Sequence, residues 1–195
     1  MPYESAPLNY TKEANHRIFV GISWDPKDKV TFMEELGAMI KGNPTHHDLD
    51  LGCAYYDATS QYIGMVHADP TEASDEDGKI YHSGDNVAGE GDGDDEEISV
   101  ELKDLNPNIH HLFFFTSIKT GHTYDQVTAP EIHLADAYSG RDLLYADLRA
   151  AEKNNTSAYV FAHIFRDGAE WMLAPIEKFV DLKEEWGEFL KVFLK

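Results

Sequence analysis

The sequence has a single cysteine, no long apolar run and few basic residues. Each shortage excludes something. One cysteine, Cys53, rules out an intramolecular disulfide and any cysteine-based zinc site. No stretch approaches the roughly 18 apolar residues that a membrane-spanning helix needs. The first residues, MPYESAPLNYTKEANHR, carry neither a basic n-region nor an apolar h-region, so no signal peptide is read and a soluble cytoplasmic protein is expected. Sixteen Lys and Arg face 36 Asp and Glu, a formal net charge of −20 in 195 residues. That balance argues against nucleic acid and against charge-driven binding to anionic lipid, and it favours cations or a basic partner. Nucleophile elbow, P-loop and HExxH are also missing, which leaves little for an enzyme to work with.

What is present suits one folded domain. Hydrophobic residues make up 42% and aromatics 12% of the chain, enough for a sizeable core. RIFVGISW reads as a buried strand ending at Trp24-Asp25-Pro26. In VTFMEELGAMIKG, Thr31 and Glu34 form a capping box and Met33, Leu36 and Ile40 recur at helical spacing, which predicts a short inserted helix over about 30–41. Two strand-like pieces follow between Asp48 and Met65, with a turn near 58–61. Asp77-Gly78 marks a hairpin connection. EISVELKDL alternates cleanly, placing Ile98, Val100 and Leu102 on one face, and Glu96 shares their parity. HHLFFFTSI, VTAPEIHLADA, DLLYADL, SAYVFAHIF and EWMLAPI supply further strands. Phe179, Leu182, Trp186, Phe189, Leu190 and Phe193 fall on one helical stripe. The reading is an all-β sandwich, residues 1–178, with an inserted helix and a C-terminal amphipathic helix, 179–195. That helix either packs on its own domain or docks a partner or a second copy.

The segment SGDNVAGEGDGDDEEI concentrates the charge. Between Gly84 and Glu97 it holds seven carboxylates, four glycines and no basic residue. Such a run is either solvated or arranged around a cation. Gly84, Gly89, Gly91 and Gly93 let backbone carbonyls turn inward, Asn86 adds a neutral oxygen, and strands pin both ends. Hard cations such as Ca²⁺ take six to eight oxygens of this mixed kind. An EF-hand does not fit: in the window from Asp85 to Glu96 the third and fifth positions are Val87 and Gly89, and the sixth is Glu90. Asp48 and Asp50, two apart on a strand, form a second acidic cluster, and Asp25 in the SWDP turn is a weaker third. The carboxylates exceed the needs of one ion, so two adjacent ions are expected. Mg²⁺ keeps too many of its waters to suit such a site, and zinc would want histidine or thiolate. His46-His47 and His110-His111 make no shared site, because neighbours on a strand face opposite ways.

These residues resemble the TerD-type tellurium-resistance and stress-response family. The loop matches the family signature GDN-x-x-G-x-G-x-GDDE from Gly84 to Glu96. YTKEA (10–14), VGISWD (20–25), DLDLGCAYYD (48–57), DEDGKIYHSGDN (75–86), HHLFFFTSI and AHIFRDGAEWML (162–173) extend the likeness over about four-fifths of the chain. The resemblance implies a calcium-binding β-sandwich, non-enzymatic, in the bacterial cytoplasm, acting as scaffold or sensor. Carried over by position, the metal ligands are Asp48, Asp50, Asp85, Asn86, Asp94, Asp95 and Glu96, with the carbonyls of Gly89 and Gly91, and Asp25 after them. Implied partners are other proteins of the stress-resistance system, with room for membrane-associated ones and for an oligomer through the C-terminal helix. Nucleic acid and direct membrane insertion are not implied. The competing reading is a metal-dependent hydrolase using the same acidic cluster. Two segments depart from the family pattern: the longer link at 25–47 and the C-terminal EKFVDLKEEWGEFLKVFLK.

Overall fold

The computed structural model describes residues 3–12, 16–26, 46–89, 93–149 and 155–194. The helix expected over 30–41 and Gly91 lie outside them. The described residues form eleven strands: β1 (Ala6–Pro7), β2 (Arg17–Asp25), β3 (Leu49–Tyr56), β4 (Tyr62–Val66), β5 (Ile80–His82), β6 (Glu96–Glu101), β7 (His111–Ile118), β8 (Thr128–Asp136), β9 (Arg141–Asp147), β10 (Ala158–Asp167) and β11 (Glu170–Val180). They form two antiparallel sheets, ordered β1-β11-β10-β7-β3-β4 and β5-β6-β2-β8-β9. The expected β-sandwich is therefore the fold.

The inward residues of both sheets meet in one core. Ile18, Val20 and Ile22 of β2, Ile98 and Val100 of β6, Leu49, Leu51 and Cys53 of β3, and Phe161 of β10 are completely buried there. Cys53 is a small core residue, its thiol pushed well up by burial. Period-two alternation carries the same parity up to Glu96, which is also completely buried.

The C-terminal segment differs from the predicted helix. Phe179 belongs to β11, where it packs on Tyr124 and Tyr159. Among the described residues of this segment only Trp186–Phe189 (α1) is α-helical, followed by a 3-10 stretch, Leu190–Leu194. The apolar stripe still does its packing work, covering the outer face of the six-stranded sheet. Leu190 and Phe193 are buried against Ala54, Tyr56, Phe113 and Phe115, and Trp186 stacks on Phe115 with ring centroids 4.0 Å apart. The core thus lies between the sheets, with a second apolar layer outside the larger one. Both leave the start of β3, the end of β2 and the start of β6 at one end of the sandwich.

Candidate metal centre

Glu96 ties that end together. Its Oε2 accepts the Leu51 N–H from the opposite sheet at 2.8 Å, and its Oε1 accepts the Asn86 N–H at 3.3 Å. Gly84 N–H donates to His82 Nδ1 at 3.0 Å, which leaves the ring proton on Nε2, 3.3 Å from Glu96 Oε2. Burial pushes the Glu96 carboxyl up, against the His82 and Leu51 contacts that favour its ionised form. Nothing in the sequence marks His82 except its parity with the buried Ile80.

Asp48 and Asp50 lie beside it. Burial raises both carboxyls; Asp48 reaches about 6, and the neighbouring Asp50, Asp85 and Glu96 add to the effect. Lys119, reaching in from solvent at the end of β7, pairs with Asp50 Oδ1 and offsets part of the shift. The remaining oxygens, Asp48 Oδ1 and Asp50 Oδ2, are buried without a hydrogen-bond partner. A buried acceptor left unpaired is costly, and a cation at this point would offset that cost.

Asp95 and Asp25 form a second group. Asp95 Oδ2 accepts the Trp24 N–H at 2.9 Å, its Oδ1 accepts Asn86 Nδ2 at 2.8 Å, and its own N–H donates to Ile22 carbonyl at 2.8 Å. Burial first, then Asp94 and Asp25, raise its carboxyl against the Trp24 bond. Asn86 Oδ1 accepts the N–H groups of Ala88 and Gly89 at 3.2 and 3.1 Å. Both ends of the Asn86 amide therefore work inside the loop, giving it a positioning role. Gly89 has φ +67°, and a Cβ there would meet Trp24 Nε1 at 2.5 Å and the Trp24 carbonyl at 2.6 Å. The loop turns over Trp24 only because residue 89 has no side chain.

Asp94 goes elsewhere. It lies over Gly21 on the outer face of β2, where a Cβ would come within 2.2 Å of its Oδ2. His133 of β8 holds it, with Nε2 3.1 Å from both Asp94 oxygens and Nδ1 2.7 Å from Asp142 Oδ1. The Asp94 bond, countered by burial and reinforced by Asp142, raises the imidazole to about 9. Nine of the ten expected ligands are described, and they are divided: Asp48, Asp50, Asp85 and Glu96 together, Asp25 and Asp95 beside Trp24 with Asn86 and Gly89 shaping the loop, and Asp94 apart. Sequence reasoning missed Lys119 and His133, both of which pair with these carboxylates. Among the described residues, no three His, Cys, Asp or Glu side chains converge tightly enough to hold one metal ion by themselves. Any ion here draws on backbone oxygens or water as well. His111 does find a histidine, though not its neighbour: its Nδ1 lies 3.0 Å from Nε2 of His163, across β7 and β10.

Comparison with known proteins agrees with this architecture. The TerD domain family model matches residues 4–181. Tellurium resistance protein TerZ of Serratia marcescens is 30% identical over 168 residues, 86% of this chain and 82% of that protein. General stress protein 16U of Bacillus subtilis is 24% identical over 182 residues, covering 89% and 86% of the two chains. The crystal structure of a homologue of the telluride resistance protein TerD from Streptomyces coelicolor superimposes with a TM-score of 0.67 at 24% identity, over 86% of this chain and 91% of that one. With most of its length matched by the family model and by these relatives, the chain belongs to the TerD family of tellurium-resistance and stress-response proteins.

Proposed function

We propose that this protein is a non-enzymatic, cytoplasmic Ca²⁺ binder that serves a stress-response system as scaffold or sensor. The observation that carries the reading is the pair of buried, unpartnered oxygens on Asp48 and Asp50. They sit among carboxylates that raise one another's proton affinity. Bare carboxylate oxygens in a desolvated acidic cluster fit a hard divalent ion better than any protein donor nearby. Asp48, Asp50, Asp85 and Glu96 would hold one ion. Asp25 and Asp95, with carbonyls of the loop, would hold the second. Asp94 would join only by leaving Gly21 and His133. When bound, Ca²⁺ supplies positive charge that joins loop, β3 and β6, and it stabilises the folded state by mass action. The protein's own groups do the rest: Glu96 locks β6 to β3, Asn86 and Gly89 shape the loop over Trp24, and Lys119 is the cation to be displaced. The names of the relatives, tellurium resistance and general stress proteins, support a role in stress response.

Calorimetric titration of Ca²⁺ into chelator-stripped protein, with Mg²⁺ as control, tests the reading. Two binding events for Ca²⁺, with the event at β3 lost in D48N/D50N, are expected. No heat from either ion would overturn it.

A further inference from the structure

The end of β3 away from the acidic loop borders a cavity of about 410 Å³. Tyr55, Ile63 and Ile109 give it an apolar side, and Asp57, Glu76 and Asp77 bring negative charge to it. Among the described residues, no Lys, Arg or His lines it. Tyr55 is only 8% exposed, yet its hydroxyl has no hydrogen-bond partner among the described residues. The ring lies over Gly64, where a Cβ would come 2.5 Å from the hydroxyl oxygen. Burial first, then Cys53, Asp75, Tyr62 and Glu76, push the phenol pKa up, so the group stays a neutral hydroxyl.

Some of the carboxylate oxygens here are already engaged. Asp75 Oδ1 accepts the N–H groups of Lys79 and Ile80 at 2.6 and 2.8 Å, closing the turn before β5. Asp57 Oδ1 caps the β3–β4 turn, and Asp77 Oδ2 accepts Asn106 Nδ2 at 3.1 Å. Glu76 and the second oxygens of Asp57 and Asp77 have no protein donor among the described residues. These acids do not converge on a point as metal ligands would. An apolar wall is also of no use to a bare ion. Charge spread around an apolar side suits an extended organic cation, and the cavity has the size of a small-ligand site.

We propose that this cavity binds an aliphatic amine with two or more ammonium groups, a polyamine-type ligand, through Glu76, Asp77 and the Tyr55 hydroxyl. The ammonium groups donate to the carboxylates and to Tyr55, and the methylenes lie against Ile63 and Ile109. The net charge of −20 draws such cations in, and the cavity selects among them.

The test is calorimetric titration of spermidine into the full chain at physiological salt. It is run both with saturating Ca²⁺ and with chelator, so the result stands apart from the calcium reading. One saturable site is expected, weakened about tenfold in E76Q/D77N and several-fold in Y55F, with butylamine binding far more weakly. A matched charge removal elsewhere, E184Q/E188Q, should leave it unchanged. Should the double variant melt early, E76Q and Y55F carry the comparison. Equal affinity across all variants would show a diffuse ion atmosphere and overturn the proposal. So would the absence of heat at millimolar spermidine.

Discussion

The two ends of β3 treat their carboxylates in opposite ways. Asp57, just past its C-terminal end, has one oxygen accepting from the Thr59 N–H at 2.8 Å, the Thr59 hydroxyl at 2.8 Å and the Gln61 N–H at 2.9 Å. Those bonds, the Gln61 one foremost, hold its pKa below the usual range. Asp48 and Asp50, at the N-terminal end, meet no comparable set of donors, and burial pushes both up. Asp136 repeats the first pattern. Burial works against it, yet hydroxyls of Ser139 and Thr11 at 2.6 and 2.5 Å hold it down. A carboxylate with donors around it completes a turn. A buried one without them holds its proton more tightly.

The largest expected effect comes from Glu96, a completely buried acid at the N-terminal end of β3 with both oxygens engaged. Glu96→Ala would leave the Leu51 and Asn86 N–H groups and His82 unpaired in a buried site, costing about 3–5 kcal/mol of unfolding free energy. Glu96→Gln, which keeps the shape, should cost less. Chemical denaturation measures both. If the alanine variant loses under 1 kcal/mol, Glu96 is no interlock, and the contrast between engaged and waiting acids weakens.

Next in size is the metal. At a hundred times its dissociation constant Ca²⁺ would add about 2.7 kcal/mol per site, or roughly 5–10 °C in melting temperature for a chain of this size. D48N/D50N should lose the part due to the β3 site and melt higher than wild type in chelator. Asp57→Asn should do the reverse, lowering the melting temperature with Ca²⁺ stabilisation unchanged. If both variants respond alike, the two ends of β3 do not differ as argued.

Acid sharpens the same comparison. The Asp48 carboxyl has a folded-state pKa of about 6 against an unfolded 3.8, so between these values the folded state holds the extra proton. Its contribution is therefore unfavourable at pH 7 and is relieved as pH falls through 6. The depressed Asp57, Asp69 and Asp147 act oppositely, contributing stability that is lost below about pH 4. Chelator-stripped wild type should gain melting temperature relative to D48N from pH 7 to pH 5, a difference that sets aside the buried His163, whose depressed pKa costs stability over the same range. Saturating Ca²⁺ should abolish the gain. The same pH dependence in wild type and D48N would contradict the elevated Asp48.

Much of this was legible in the sequence, and the misreadings have physical causes. Ile98, Val100 and Leu102 alternate because one face of β6 is buried, and the same parity put Glu96 inside. The C-terminal stripe misled because i, i+3 spacing from Phe179 to Leu182 straddles the end of a strand. Strand pairing of Phe179 with Tyr159 overrode the helical period there. The loop's composition raised the expectation of a cation site, but the distribution of its acids in space was hidden. Asp94 reaches the outer face because residue 21, more than seventy positions earlier, is a glycine with a histidine from β8 beside it. No local pattern encodes that meeting. Likewise Lys119 is one lysine among many until β7 brings it to Asp50.

Lys119 offers the smallest and most discriminating test. Asp48 and Asp50 differ in that Asp50 already has a counter-ion from the protein, one that is itself more than half exposed. An exposed ammonium contributes about 0.2–1 kcal/mol to such a pair, so its loss should barely move the melting temperature. A metal ion entering the site must displace it and is repelled by it until it leaves. Lys119→Met removes both obstacles and should tighten Ca²⁺ by up to about fivefold, the factor that the same energy range allows. High salt, which screens the ammonium, should narrow the difference between variant and wild type. Weaker Ca²⁺ binding in Lys119→Met would mean that the lysine positions Asp50 for the ion. Asp50 would then belong with Asp57 among carboxylates that protein donors hold in place.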